Sequence, residues 1–588
     1  MERLEDSSML SSRTPPGSHV ASPNRAGVWC GAACVTLLYL SLAYFTKPLS
    51  WGDTIVYAPQ IIAFSKGLLD PRFFWEFGHL LWRPLGSLAW HAGFPSGTTF
   101  DGNESLQVYV ALAAVNHVLS YIAALASFGI AWRISRSALR ATLIAGAFLA
   151  WNPFLNYMQS GTAYVPGLAM QLVGAYLLLG GSMPKRSRMR AWLGGAALAF
   201  SVCLWFPYFL GLPGVFLLAY LWDRTDPGWS SEESRIRLRW VSQAVCVCAL
   251  VGFGCYAVGA SLAGIRTGNQ LKAWVVDSGH GYQPDKRYIR VATGMPRGLV
   301  YIGDTGLMLK RLVLHDPYAP VGIQEVLRTA VSRMLLFYIA MAALIWALMR
   351  DPAARPVALP FLLSGCLVVF FSVVVFEPSQ SERWLPIFPV LLPAIAFVLQ
   401  RRDTLRLSAA ILALALAVVW ANNFSAYASS GEPGPEDPAV ARILAVKSSL
   451  GPHSVVSLLS FNDGISSFLA RFPFHPINRV DPVRFYYLTE VGNTNMLYWR
   501  KEFAARSLQA WKENGDMWVS KRLLAEKPAP EWFWVEGDDP NLRWKEIPSY
   551  FGTFTFDRDV GGSDGFKRVA RTPGNQASLE ASNHEGAF

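Results

Sequence analysis

The chain has 588 residues, of which 52% are hydrophobic, 13% are aromatic and only 16% are charged. Soluble domains usually carry about 25% charged residues, so this composition excludes a purely soluble enzyme, a disordered scaffold and a disulfide-stapled secreted domain. The net charge of +11 does not indicate nucleic-acid binding: residues 425–588 hold 18 Lys and Arg against 20 Asp and Glu, and the basic excess lies in short loops between apolar runs.

After a polar start, much of the chain consists of apolar runs. Residues 1–26 are rich in Ser, Pro and mixed charges and predict a disordered cytoplasmic tail. About 20 apolar residues cross a bilayer as a helix, and runs of roughly that length predict eleven spans, or ten if the short run 191–204 is not separate from its neighbour. The predicted spans are 27–45, 107–131, 139–157, 162–181, 191–204, 206–222, 240–264, 331–349, 357–376, 384–400 and 407–424.

Lys and Arg are concentrated in every second short loop of this pattern. Examples are the loops at 185–190 and 401–406, whereas the opposite short loops carry almost none. Positively charged loops face the cytoplasm, so the N-terminus is predicted to be cytoplasmic and the C-terminal segment to lie outside. We expect an integral protein of a bacterial inner membrane, with a transmembrane domain over 27–424 and outer loops at 46–105 and 265–330.

The segment after the last predicted span has the composition of a soluble domain. Residues 425–572 alternate predicted helices and strands, which indicates a small extracytoplasmic α/β domain, and 573–588 are predicted to be a disordered tail. The predicted elements are a helix over 437–450, a strand over 453–460, a helix over 465–471, and strands over 532–535 and 553–556.

The cysteines and the common enzyme motifs narrow the possible chemistry. All seven cysteines fall inside apolar runs, and the pair Cys246 and Cys248 has neither metal-ligand spacing nor nearby histidines. The sequence has no P-loop, GxSxG, HExxH or GxGxxG motif in strand–helix context. These observations argue against a metal or redox site and against ATP-driven, serine-hydrolase and zinc-protease chemistry.

The first outer loop carries the first candidate chemical groups. Residues 50–57 read Ser-Trp-Gly-Asp-Thr-Ile-Val-Tyr, so Asp53 lies at the mouth of the first span, and an aromatic segment further on contains Glu76, His79 and Arg83. Amphipathic helices of this kind lie in the membrane interface and hold a few polar groups just above the hydrocarbon. A structural interpretation of Asp53 is also open, because Asp is a favoured helix N-cap and an apolar-periodic run follows it.

A second polar point lies between two strongly apolar helices, at Arg383. This arginine is on the predicted outer side, against the positive-inside bias, and ionisable residues at that depth are usually paired or functional. One interpretation is an ion pair with Glu382 or Glu377 in a tight turn. The other is an anion site, because guanidinium presents a planar fork of donors that suits phosphate.

These features together resemble the GT-C superfamily of integral-membrane glycosyltransferases that use polyprenyl-phosphate-linked sugars, on the branch of the protein O-mannosyltransferases and the lipid A aminoarabinose transferase. The resemblance rests on Trp-Gly-Asp-Thr at 51–54, on the stretch 76–84, and on 381–389, where an Arg precedes a Pro-rich span. It covers about 27–424 in layout but only these three stretches in residues. The fold it implies is a polytopic GT-C-like helical domain of about eleven transmembrane helices with an outward soluble domain.

The resemblance also implies an activity and roles for residues. It implies transfer of a sugar, with inversion, from a polyprenyl-phosphate donor to a lipid, glycan or protein acceptor at the outer membrane face. Asp53 is the expected general base and Glu76 a second acidic group, while Arg383, with Arg83 and His79, is expected to hold the donor phosphate. Relatives often have two adjacent acids in the first-loop motif, whereas Thr54 follows Asp53 here. We therefore expect no cofactor and no obligatory metal, although a divalent metal held with the help of Glu76 stays possible.

Two other classes of function compete with an enzyme. A lipid or glycolipid transporter or flippase predicts functional polar groups within the spans, where the exceptions are Asn116, His117, Asn152 and Asn156, which we interpret as hydrogen bonds between packed helices. A noncatalytic scaffold of cell-envelope assembly would tolerate loss of Asp53. The sugar, the acceptor and the oligomeric state are not determined by the sequence.

Overall fold

The computed structural model describes most of the chain. The predicted helix at 465–471, the predicted strand at 532–535 and nearly all of the predicted N-terminal tail lie outside the described residues. The described residues are 25–49, 52–95, 104–180, 184–222, 231–278, 290–303, 312–313, 321–374, 380–401, 404–429, 436, 438–447, 449–451, 453–460, 484–489, 499–526 and 544–584.

Helices account for nearly all regular structure up to residue 428. In the part of the chain that the structure describes, seven helices are long and apolar enough to cross a membrane, and four shorter apolar helices accompany them. The helices are α1 (Arg25–Phe45), α2 (Thr54–Ser65), α3 (Pro71–Phe74), α4 (Trp82–His91), α5 (Glu104–Ser135), α6 (Ala138–Leu149), α7 (Asn152–Tyr157), α8 (Tyr164–Leu178), α9 (Pro184–Leu204), α10 (Leu212–Leu221), α11 (Ser231–Leu262), α12 (Gly268–Asp277), α13 (Arg290–Arg297), α14 (Ile323–Arg350), α15 (Arg355–Val374), α16 (Phe388–Gln400) and α17 (Arg406–Ala428).

Every predicted span coincides with helical structure, so the polytopic helical fold is confirmed. Three predicted spans are interrupted: 139–157 divides into α6 and α7, while 206–222 and 384–400 begin in the 3₁₀ segments Phe206–Gly211 and Ser381–Ile387 before α10 and α16. Prolines explain these changes, because Pro153, Pro213 and Pro389 stand in the first turn of a new helix, where the missing N–H costs no hydrogen bond. The number of membrane crossings stays a prediction, since the seven long helices are fewer than eleven.

The helical core lies around α5, α6, α8 and α16, which pack on one another. In the segment Ser381–Gln400, which contains α16, 83% of the apolar window is buried inside the protein, whereas in Glu232–Leu262, which corresponds to α11, only 11% is buried. The apolar side chains of α11 therefore face lipid, and α16 forms the centre of the bundle.

Buried amides join the helices, as expected for Asn116 and Asn152 among the polar residues within the spans. Asn116 Nδ2 donates to the carbonyl oxygens of Tyr157 at 2.8 Å and Thr162 at 3.1 Å. Asn152 Nδ2 donates to the carbonyl of Arg297 at 2.8 Å, and its Oδ1 accepts from the Tyr427 hydroxyl at 2.6 Å. These bonds satisfy backbone groups exposed where α6, α7 and α8 break, so they serve packing.

The first outer loop folds back onto the bundle as α2, α3, a 3₁₀ turn at Phe77–His79, and α4. Helices α2 and α4 both pack on α5. The indole of buried Trp82 donates to the carbonyl of Gly161 at 2.7 Å, and Phe64 stacks on Phe74 with ring centroids 3.8 Å apart. The polar residues of the loop are therefore held in fixed positions over the ends of the membrane helices.

The described residues of the C-terminal segment form a five-stranded sheet with helices, as predicted for an α/β domain. The strand order is β2-β1-β3-β5-β4, with β1, β2 and β3 parallel and β5 antiparallel to β3 and β4. Its elements are α18 (Pro438–Lys447), β1 (Val455–Ser460), β2 (Arg484–Thr489), α19 (Trp499–Lys512), β3 (Met517–Ser520), α20 (Glu546–Phe551), β4 (Phe556–Val560), β5 (Phe566–Val569) and α21 (Pro573–His584).

Both faces of the sheet are covered, because successive apolar side chains of a strand point to opposite faces. Val455 and Leu459 of β1 join the core with α19 and α20, while Val456 and Leu458 face the core formed with α18. The two faces make a three-layer domain.

The predicted disordered tail at 573–588 is wrong for residues 573–584. These residues form α21, which packs against α19 and buries Leu579 completely. Asn575 fixes the helix start, because its Nδ2 donates to the carbonyls of Thr555 and Ala570 at 2.8 Å each. A Ser/Asn-rich helix with few apolar residues gives little sequence signal, and its order comes from these tertiary contacts.

Candidate active site

Asp53 stands at the N-cap position of α2, directly after a glycine with left-handed backbone. Gly52 has φ +51°, and a Cβ there would lie 3.1 Å from Thr162 Cγ2, so both the left-handed backbone and the close approach of the α7–α8 connection favour glycine at this position. The Asp53 backbone is αR, with φ −67° and ψ 0°, and within the described ranges its carboxylate makes no capping hydrogen bond. The interpretation of Asp53 as a side-chain cap is therefore wrong.

The Asp53 carboxylate is held by two tyrosine hydroxyls. Tyr57, one turn further along α2, donates to Oδ2 at 3.2 Å, and Tyr164, the first residue of α8, donates to the same oxygen at 2.5 Å. Both tyrosines are buried, whereas Asp53 is partly exposed. Oδ1 has no hydrogen-bond partner among the described residues. The carboxylate is thus fixed through one oxygen while the other stays available to a ligand.

Thr54, which replaces the second acid common in the resembling family, has a structural position. Its side chain is fully buried, and its hydroxyl accepts a hydrogen bond from the Gly161 backbone N–H at 2.9 Å. A Cβ on Gly161 would lie 2.5 Å from Thr54 Cγ2, so the Thr54 side chain packs directly on the Gly161 backbone. A carboxylate at position 54 would be buried against this backbone, away from a partly exposed site.

Glu76, His79 and Arg83 form one buried cluster beside Asp53. Glu76 Oε2 is paired with Arg83 Nη2, and Glu76 Oε1 lies 3.3 Å from His79 Nδ1. The Arg83 guanidinium carbon is 4.6 Å from the centre of the Tyr57 ring, and the His79 ring is 5.5 Å from the same ring. Three of the predicted site residues therefore meet, and Tyr57 connects them to Asp53.

Arg383 lies in a 3₁₀ segment, Ser381–Ile387, that leads into α16. Its Nε is 3.8 Å from Glu382 Oε1, so the predicted ion pair with Glu382 is confirmed, whereas Glu377 lies outside the described residues. The buried Glu382 also accepts a hydrogen bond from the Tyr157 hydroxyl at 3.0 Å. The Arg383 guanidinium lies 5.6 Å from the centre of the Trp205 ring and its side chain is 21% exposed, so it remains reachable.

Aromatic side chains connect the two predicted sites. The Tyr164 ring, whose hydroxyl binds Asp53, is 4.9 Å from both the Tyr157 ring and the Trp205 ring. Tyr157 binds Glu382, and Trp205 contacts Arg383. Asp53 and Glu382 are thus joined through the neighbouring rings of Tyr164 and Tyr157. Asp53 and Arg383, about 330 residues apart in sequence, therefore belong to one cluster.

The sequence analysis missed most of the aromatic residues of this cluster. A weak signal was present for Tyr57, because residues four apart lie on the same face of a helix and Asp53 precedes it by four. Glu382 was considered only as an ion-pair partner, and Tyr157, Tyr164 and Trp205 had no local signal, because their contacts with the predicted residues come from helix packing.

The described residues contain no group of three or more His, Cys, Asp or Glu side chains that could hold a metal ion. The two carboxylates nearest the cluster centre, Asp53 and Glu382, are engaged by tyrosine hydroxyls, and Glu76 is engaged by Arg83. That the protein needs no obligatory metal therefore stays a prediction.

No protein-family model matches the chain, and no curated protein matches it in sequence. Solved structures do match. ArnT from Cupriavidus metallidurans bound to undecaprenyl phosphate aligns with 94% of this chain and 99% of its own, at 13% identity and a TM-score of 0.50. The oligosaccharyltransferase of Archaeoglobus fulgidus in the apo form aligns with 88% of this chain and 72% of its own, at 14% identity and a TM-score of 0.46.

The chain has the GT-C fold. The alignment with ArnT extends over nearly the full length of both chains, so the likeness includes the membrane helices as well as the C-terminal segment. The fold expected from the three short sequence stretches is confirmed. At 13% identity the likeness concerns the fold, and the chemistry has to be argued from the cluster around Asp53.

Proposed function

We propose that this GT-C protein is a membrane glycosyltransferase that moves a sugar from a polyprenyl-phosphate donor to an acceptor at the outer membrane face. One observation carries the proposal: a partly exposed carboxylate, fixed through one oxygen by two tyrosines, lies in the same cluster as a partly exposed arginine. The acceptor side of the reaction needs a proton acceptor, and the donor side needs a cation for the phosphate.

Asp53 is the proposed general base. The acceptor hydroxyl or amine attacks the anomeric carbon and transfers its proton to Asp53, whose Oδ1 is available while Tyr57 and Tyr164 hold Oδ2. Fixing the carboxylate in this way pre-organises it, because no rotation is needed when the acceptor arrives. A single displacement of this kind inverts the configuration at the anomeric carbon.

The donor phosphate is the leaving group, and nearby cations are proposed to hold it. As the bond between the anomeric carbon and the phosphate oxygen breaks, its electron pair stays on the phosphate, where negative charge accumulates. The assignment of Arg383 as a phosphate ligand is supported by its partial exposure and by the aromatic contacts that connect it to Asp53 through Trp205 and Tyr164. Arg83 and His79 approach the same site from the first outer loop.

The transporter and scaffold hypotheses receive less support from the structure. The polar residues within the spans, Asn116 and Asn152 among them, donate hydrogen bonds to backbone carbonyls where helices break, so they do not mark a substrate path. A noncatalytic scaffold does not require a carboxylate held in place by two buried tyrosines. The proposed location remains a bacterial inner membrane with the cluster on the outer side.

Release of the lipid phosphate tests the proposal without knowledge of the acceptor. The purified full chain is incubated with a panel of undecaprenyl-phosphate sugars and membrane extract, and liberated undecaprenyl phosphate is quantified by mass spectrometry. Release with at least one donor, lost in Asp53→Asn, supports the proposal. Release by the wild type that persists in the folded variant removes Asp53 from the mechanism, and no release with any donor and extract favours the transporter or the scaffold.

A further inference from the structure

Both oxygens of the Glu76 carboxylate are committed to cationic or ring-nitrogen partners. Oε2 pairs with Arg83 Nη2, and Oε1 lies 3.3 Å from His79 Nδ1. The Glu76 and Arg83 side chains are 9% and 1% exposed, so water does not compete for these contacts. A carboxylate with both oxygens engaged is poorly suited to take a proton from an acceptor. This arrangement argues against the expected role of Glu76 as a second acidic group in the reaction.

The partners of Glu76 each keep one buried nitrogen without a hydrogen-bond partner. Arg83 uses Nε on Gln60 Oε1 at 2.6 Å and Nη2 on Glu76, while Nη1 has no partner among the described residues. His79 uses Nδ1 on Glu76, and its Nε2 is likewise unpartnered in the described ranges. Buried polar atoms in native proteins are nearly always bonded, so two such atoms on one cluster point to a ligand.

The surroundings of Arg83 and His79 indicate the chemical class of the ligand that they would bind. Both side chains contact the Tyr57 ring, and the His79 ring is also 6.3 Å from the Tyr164 ring. Because these two tyrosines hold Asp53, the Arg83 and His79 side chains lie next to the residues that fix the proposed base. Guanidinium presents only donors, and an imidazole that holds Glu76 through Nδ1–H donates from Nε2 when it is protonated, the form that a bound anion favours, so the pair suits the phosphate of the lipid donor.

We infer that Glu76 is a positioning residue, which orients Arg83 and His79 so that Arg83 Nη1 and His79 Nε2 together bind the phosphate of the lipid donor. The inference rests on the proposed function and deepens it, since it adds Glu76 as the residue that positions two of the proposed phosphate ligands and names the nitrogens that they offer. Glu76 acts through its two partners and touches neither the acceptor nor the sugar. The three side chains then work as one unit, because removing Glu76 releases both donors at once.

The test measures lipid-phosphate binding separately from sugar transfer. Undecaprenyl phosphate is titrated into the full chain in nanodiscs, for the wild type and Glu76→Gln, and transfer kinetics are recorded in parallel. Glu76→Gln should weaken binding at least tenfold and raise the donor KM, while kcat at saturating donor changes less than threefold. Glu104→Gln is the matched control, because Glu104 is an exposed acid paired with Lys66 in the same outer region, and it should bind like the wild type.

A second variant keeps the inference testable if Glu76→Gln leaves a buried charge and fails to fold. The double variant Glu76→Gln/Arg83→Gln removes both charges of the pair, so it should fold and still bind undecaprenyl phosphate at least tenfold more weakly. Wild-type binding by either folded variant, or loss of kcat with unchanged binding, overturns the inference. Asp53→Asn separates the two proposals. If Glu76→Gln weakens binding while Asp53→Asn transfers sugar as well as the wild type, Asp53 is not the base, and the positioning role of Glu76 still holds.

Discussion

Two Arg–Glu pairs lie near Asp53, and they differ in depth and geometry. In the first outer loop, Arg83 and Glu76 are 1% and 9% exposed and in direct contact. At the entrance to α16, Arg383 is 21% exposed and its Nε is 3.8 Å from the 5% exposed Glu382. A buried charge depends on its partner because neither ion is solvated, whereas a partly exposed arginine can exchange its partner for a ligand at lower cost.

The difference shows that residue type alone does not assign a role. Both arginines were predicted as phosphate ligands, yet the structure places Arg83 in a fixed network with Gln60 and Glu76 and places Arg383 over the Trp205 ring. We therefore expect the outer-loop pair to contribute to both stability and donor affinity, and the α16 pair to act mainly on donor affinity. Substitutions at four positions test this comparison and the proposed base near the two pairs.

The largest effect is expected from Asp53→Asn. Asparagine keeps an oxygen for the Tyr164 hydroxyl but cannot accept the acceptor proton, so sugar transfer should fall by about 10²–10⁴-fold. Transfer rates at saturating donor provide the measurement, and the melting temperature should stay within a few degrees of the wild type. Asp70→Asn is the control, because Asp70 is an exposed acid bonded to Arg72. Equal transfer rates for Asp53→Asn and the wild type would contradict the assignment of Asp53 as the general base.

Arg83→Gln should destabilise the protein far more than Arg383→Gln. Removing Arg83 leaves the Glu76 carboxylate buried, at a cost of about 3–5 kcal/mol, whereas Glu382 keeps its hydrogen bond from Tyr157, so that Arg383→Gln should cost about 1–2 kcal/mol. Chemical unfolding in detergent micelles, followed by tryptophan fluorescence, compares the two free energies of unfolding. Similar losses for both variants would show that the two pairs do not differ as described.

Arg383→Ala should raise the donor KM by about 10–100-fold, the equivalent of one charge-assisted hydrogen bond of about 1.5–3 kcal/mol. Arg383→Lys should recover part of this loss, because it keeps the charge but loses the planar fork. Steady-state kinetics with a polyprenyl-phosphate sugar give both values. A KM unchanged in Arg383→Ala would leave the donor phosphate to the outer-loop cluster alone.

The smallest effect is expected at Thr54, next to the base. Thr54→Val removes the acceptor of the Gly161 N–H bond and should cost about 1–2 kcal/mol of stability, while transfer at saturating donor changes less than threefold. Thermal unfolding and initial rates measure the two quantities. A large loss of transfer without a loss of stability would place Thr54 in the reaction together with Asp53.

Much of the fold was predictable because its signals are local. A run of about 20 apolar residues identifies a membrane helix whatever it packs against, and all eleven predicted runs are helical in the structure. The β-branched, apolar run 453–460 likewise predicted a strand, found at Val455–Ser460. Helix α21 was missed because its order depends on Leu579 and Asn575, which contact residues that are distant in sequence or in different elements.

The sequence by itself determined the helical membrane architecture, the α/β character of the C-terminal segment and the choice of Asp53 and Arg383 as candidates. Only the tertiary structure decided that these two belong to one cluster, that Tyr57 and Tyr164 hold the Asp53 carboxylate, and that Glu76 is committed to Arg83. The reason is physical: hydrophobic periodicity acts over neighbouring residues, whereas the contacts that prepare a side chain for chemistry join residues up to 225 positions apart, as between Tyr157 and Glu382.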